Sequence, residues 1–140
     1  MDDKELTSKT NLIFARSKYL HDISTQVSEI SDPYTTVLMI MRELNKNMRK
    51  IAYPAEGAVF QRKPFSNAFT AIYLLQSSLD FAHGGEIAEN LFQLYEYFRQ
   101  QLLKAFARNQ DHNIGTCVDL LDEIIQAWEG IGQEKGKVTA

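Results

Sequence analysis

A chain of 140 residues fits one domain and can bury roughly two thirds of its unfolded surface, so one core suffices without staples. The hydrophobic fraction of 44%, the charged fraction of 24% and the scarcity of Pro and Gly point to a globular, helix-rich protein. With 15 basic and 18 acidic residues the formal charge is −3, and Arg49-Lys50 and Arg62-Lys63 are isolated pairs, which excludes nucleic acid as a primary partner. The lone Cys117 has no internal disulfide partner, the start Met1-Asp2-Asp3-Lys4-Glu5 has no signal-type apolar stretch, and Val37 to Met41 is far too short to span a membrane. A cytoplasmic protein with no membrane insertion is expected.

In chain order, residues 1–10 are polar and read as a frayed end. Leu12, Ile13, Tyr19, Leu20, Ile23, Val27 and Ile30 form a loose helical stripe, weakened by the β-branched stretch around Thr25. Asp32-Pro33 signals a helix start, with Asp32 as cap and Pro33 in the first turn. The helix it opens carries Tyr34, Val37, Leu38, Met41, Leu44, Met48 and Ile51 on one face, and Pro54 should stop it at Tyr53. After a loop from Pro54 to Pro64, the next helix buries Phe65, Ala68, Phe69, Ile72, Leu75 and Leu79, ending at His83-Gly84-Gly85.

Glu86 restarts a long helix with Ile87, Leu91, Leu94, Phe98, Leu102 and Ala105 in register. A second apolar set, Ala88, Phe92, Tyr95, Leu103 and Phe106, implies burial on more than one side. Asn109 to Asn113 turns the chain. A last helix carries Ile114, Cys117, Val118, Leu121, Ile125 and Trp128, and Gly130, Gly132 and Gly136 mark a flexible tail over 130–140. The predicted fold is all-α: a single domain whose antiparallel four-helix bundle spans residues 11–129 together with an additional N-terminal helical segment.

Residues capable of chemistry do not converge. Asp80, His83, Glu86 and Glu89 form one imperfect copy of a dimetal motif that needs a second, and His21 and His112 sit in unrelated segments. Cys117 falls on an apolar face, where a thiol acts as a small core residue. The Gly130-to-Lys137 tail has the wrong spacing for a phosphate loop and follows a helix. No catalytic residue, metal or cofactor is expected. Most of Met39, Met41, Met48, Tyr95, Tyr97 and Phe98 read as core, but Met41 with Tyr97 exceeds what one stripe per helix requires, and such surplus apolar surface marks a binding site for another polypeptide. The same surplus offers a surface for a homodimer.

The stretch Gly84-Gly85-Glu86-Ile87-Ala88-Glu89-Asn90-Leu91-Phe92-Gln93-Leu94-Tyr95-Glu96-Tyr97-Phe98, preceded by Leu79-Asp80, closely resembles the flagellin export chaperone family, FliS. That family reads Leu-Asp, a short Gly-Gly break, then Ile-Ala-x-Asn-Leu-x-x-Leu-Tyr-x-Tyr. Leu120 to Trp128 is similar to its closing helix, which ends in Ala-Trp. Upstream, Tyr19, Val27 and Ser31-Asp32-Pro33 occupy the places of the family's Tyr, Val and Ser-Pro, with Asp32 inserted. Asn67-Ala68 stands for its Lys-Ala. Met41-Arg42-Glu43 replaces the family's Tyr-Asp-Gly.

The resemblance implies a four-helix antiparallel bundle that binds the disordered carboxyl-terminal region of new flagellin, prevents early polymerisation and escorts it to the export apparatus. It further implies that Tyr19 covers a groove to which Ile40, Met41, Leu91, Leu94, Tyr95 and Tyr97 contribute. Other flagellar export components are further candidate partners.

Overall fold

The computed structural model describes residues 33–139, with side chains as far as residue 132. The expected frayed end, the N-terminal helical segment and Tyr19 lie outside the described residues. Among the described residues there are four helices and no strand: α1 (Pro33–Ala52), α2 (Lys63–Ser77), α3 (Phe81–Phe106) and α4 (Ile114–Thr139). α1 is packed against both α2 and α4, α2 against α3, and the ring closes through α3 and α4, its loosest pair. This is the expected antiparallel bundle.

Pro33 opens α1, and the chain leaves the helix at Ala52, two residues before Pro54. Leu38, Met41, Leu44 and Met48 recur at helical spacing and are buried. α2 buries Phe65, Ala68, Ile72 and Leu75 by the same logic. It stops at Ser77, earlier than the Gly84-Gly85 expected, because Ser78 Oγ donates to the Leu75 carbonyl at 2.9 Å and ends the ladder. Asp80, in an extended conformation, then caps a fresh turn by accepting the His83 backbone N–H at 3.1 Å. Gly85 (φ 50°, ψ −125°) breaks that turn from the long helix beginning at Glu86, a backbone state that disfavours side chains with a Cβ.

A single core joins all four helices, with Met48, Ile72, Phe98, Leu102 and Leu121 among its fully buried members. Polar struts set the register around it. Asp122 of α4 accepts from both Asn45 and Arg49 of α1, and Arg42 meets Glu129 at 2.6 Å. The two ion pairs face solvent, so each contributes only about 0–1 kcal/mol and mainly fixes alignment. Glu96 of α3 accepts from Arg99 at 2.9 and 2.8 Å and from Gln76 of α2 at 3.0 Å, which ties α2 to α3.

α4 is helical to Thr139, past the glycines expected to begin the tail. The Tyr34 ring stacks on Trp128 with centroids 5.6 Å apart and planes 4° from parallel. The Tyr34 hydroxyl donates to the Trp128 carbonyl, and Trp128 Nε1 donates back to the Tyr34 carbonyl at 3.1 Å. Gly132 lies so close to the Tyr34 ring that a Cβ there would collide with it. Gly132 is thus used for close helix packing, and does not act as a breaker.

Candidate functional site

The loosely closed α3–α4 seam carries a row of half-buried apolar side chains. Near the loop that joins these helices, Gln101 Oε1 accepts the Asn113 N–H at 2.9 Å, which defines the sides of α3 and α4 that face each other. Running away from that bond, helical spacing brings Tyr97, Leu94 and Leu91 along α3 opposite Leu120 and Ile124 along α4. These five side chains are half-buried against the core. Ile87 and Ile131, farther out, stand exposed at 71% and 46%. We call this apolar row, from the Gln101 bond to the exposed Ile87, the trough.

Its walls are anchored from behind. Tyr97 leans on Phe98 with ring centroids 6.4 Å apart, and Cys117, nearly one turn before Leu120, is fully buried. Burial pushes the Cys117 thiol up to about 12, so it stays neutral and is no nucleophile at ordinary pH.

Of the residues expected to form the groove, Leu91, Leu94 and Tyr97 are partly buried and packed against the core. Ile40, Met41 and Tyr95 are themselves buried core members. Tyr95 is 1% exposed, and desolvation pushes its phenol up to about 12. The reason is angular: Tyr95 shares the inward stripe of Ala88, Phe98, Leu102 and Ala105, whereas Tyr97, two residues on, is swung toward the seam. Ile87 departs from expectation in the opposite sense, lying on the surface although it is in register with Leu91. Sequence reading missed Leu120 and Ile124, and the signal was available as an apolar pair at four-residue spacing beside the Cys117-Leu121 stripe.

The remaining candidates for chemistry stay apart. His83 Nδ1 and Asp80 Oδ2 are 2.7 Å apart in an exposed helix cap, and hydrogen bonds from His83 hold the Asp80 carboxyl below its usual range. Among the described residues there is no group of three His, Cys, Asp or Glu side chains placed to hold a metal ion, and no helix long and apolar enough to cross a membrane. What the arrangement offers is a strip of apolar side chains two helices wide.

Fold and trough together define an all-α helical bundle with an apolar row along one seam. Comparison with known proteins then identifies the chain as a member of the FliS family, whose model, described as flagellar protein FliS, matches residues 15–135. It is similar to the flagellar secretion chaperone FliS of Vibrio cholerae, 28% identical over 84% of this chain and 88% of that one. It is 44% identical to the flagellar secretion chaperone FliS of Salmonella typhimurium over 57 residues, covering 41% of this chain and 42% of the relative. The flagellar secretion chaperone FliSB of Pseudomonas aeruginosa is 28% identical over 78% of this chain and 87% of its own length. No solved structure matches.

Proposed function

We propose that this protein is a cytoplasmic flagellar export chaperone that holds the disordered carboxyl-terminal segment of flagellin as a helix along the α3–α4 trough. Held there, the segment cannot polymerise before it reaches the export apparatus. The observation that carries this reading is the row of half-buried Leu91, Leu94, Tyr97, Leu120 and Ile124 on the loosest neighbouring pair of the ring, in a chain of the FliS family.

The energetics agree with an extended site. Ordering a disordered partner costs on the order of 1–2 kcal/mol per residue. Apolar burial returns about 25 cal/mol per Å². Each ordered residue therefore needs tens of Å² of contact, which a trough along two helices supplies and a compact pocket does not. The Met41-Arg42-Glu43 departure from the family pattern falls on α1, where Met41 is core and Arg42 is engaged with Glu129. It leaves the trough untouched, so it gives no reason to prefer a different flagellar client.

Size-exclusion chromatography and calorimetry with flagellin test the reading. Full-length flagellin should form a one-to-one complex that vanishes when its carboxyl-terminal segment is removed. Absence of any complex with full-length flagellin, or capture of a different flagellar protein in its place, would overturn it.

A further inference from the structure

A second apolar surface lies on the opposite flank, at the bundle end where α1 passes to α2 and α3 to α4. There the α1–α2 loop folds back and lays Phe60 between Phe65 of α2 and Phe106 of α3, with centroids at 5.5 and 5.9 Å. Phe65 meets Phe106 edge-on at 5.4 Å. Arg108, which ends α3 with a left-handed backbone (φ 61°), holds its guanidinium 4.7 Å over the Phe60 ring. Interlocked rings make this a preformed platform. Its outer side is nonetheless uncovered: Val59 is 83% exposed, and Phe60, Leu103 and Phe106 are exposed as well.

The charge around the platform is opposite in sign to that of the chain. Arg62 and Lys63 lead from the loop into α2, and Lys104 and Arg108 close α3, while the acids nearby in sequence are Glu56 and Asp111. None of these four cations has a carboxylate partner among the described residues. The first turn of α2 holds no acidic residue and its cap position, Arg62, makes no side-chain cap bond, so the cations reinforce the positive end of the helix dipole. An uncovered apolar platform inside a basic rim is complementary to an acidic segment bearing an apolar side chain. Screening confines this field to within a Debye length of about 8 Å, a range matched to a short segment seated on the platform.

We propose that this platform is a second docking surface, for a short acidic segment of another protein carrying an apolar anchor. Phe106 is nine residues from Tyr97, which is half a turn around α3, so the two surfaces face away from each other. The platform is open to a partner whether or not the trough is filled.

The test is a titration of the isotope-labelled full chain with a short synthetic peptide in which Asp and Glu flank a central Leu and Phe. Saturable amide shifts should concentrate at residues 59–63 and 103–108 and weaken with added salt. The doubly reversed variant Arg62→Glu, Lys63→Glu should lose roughly tenfold or more in affinity. Val59→Ser, at a side chain too exposed to matter for folding, should also weaken binding. Shifts confined to the trough residues, undiminished affinity in the charge-reversed variant, or binding of anionic phospholipid vesicles without binding of the peptide would each overturn the proposal.

Discussion

Tyr95 and Tyr97 are two residues apart, but Tyr95 is fully buried and Tyr97 only partly so, and exchanging each for Ala separates stability from the proposed binding. Tyr95 is 1% exposed and packs beside Phe98 at 6.3 Å. Emptying a fully buried aromatic site costs about 3–5 kcal/mol. At this chain length that lowers the melting midpoint by roughly 10–20 °C. Tyr97 is half-buried at the trough edge and also touches Phe98, so Tyr97→Ala forfeits about half the area and one ring contact, roughly 1–2 kcal/mol. As a central aromatic of the trough it should contribute about 2 kcal/mol to client binding, a loss of roughly 30-fold. Thermal melts by circular dichroism, and calorimetric titration with flagellin well below the midpoints, read the two effects. Tyr97→Ala should lose markedly less stability than Tyr95→Ala and bind poorly. Tyr95→Ala should melt early and, while folded, bind with most of its affinity. Equal stability losses in the two variants, or unchanged affinity in Tyr97→Ala, would refute the assignment of sides.

Three other expectations follow from single positions. Gly132→Ala drives a Cβ into the Tyr34 ring, so it should cost about 1–3 kcal/mol and shift the emission of Trp128, the only tryptophan; an unchanged spectrum would contradict the packing at that site. Gly85→Ala meets no atom within 4 Å but inherits φ 50°, and should destabilise by about 1–3 kcal/mol in urea unfolding, whereas the equally unobstructed Gly130→Ala in α4 should stabilise by about 0.4–1 kcal/mol. Arg99 and Gln76 hold the Glu96 carboxyl down to about 2, so its contribution is present above its ordinary 4.5 and disappears as pH falls through about 2. At the other extreme, the Tyr95 phenol and Cys117 thiol, both pushed up to about 12 by burial, favour the fold below their ordinary values of 10 and 9 and withdraw that support as pH rises toward 12. Urea midpoints against pH should accordingly fall at both ends, with Glu96→Gln flattening the acid limb and Tyr95→Phe softening the alkaline one.

Local chemistry made much of the architecture legible. Pro33 and Pro54 bound the first described helix, Gly85 marks the break before the long one, and the stripes through Leu44, Phe65, Ile72 and Leu121 are where periodicity put them. These follow from backbone sterics and the 3.6-residue repeat, which act within a few residues of sequence. The block from Gly84 to Phe98 carried the family resemblance for the same reason: it combines a backbone requirement at Gly85 with a strict inward stripe.

What sequence could not decide is which apolar side chains meet a neighbour and which are left over. Periodicity says that Ile87, Leu91, Leu94 and Phe98 share a face of α3, yet only packing against α4 makes Phe98 core, Leu94 trough wall and Ile87 exposed. Tyr95 and Met41, expected to contribute to the groove, are fully buried in the bundle interior. Gly132 was read as a helix breaker until Tyr34, almost a hundred residues away, occupied the space that a side chain would need. The sequence alone therefore determined the helices, their breaks and the pool of apolar residues. The tertiary structure alone divided that pool into core, trough and platform, because burial depends on what the rest of the chain brings alongside.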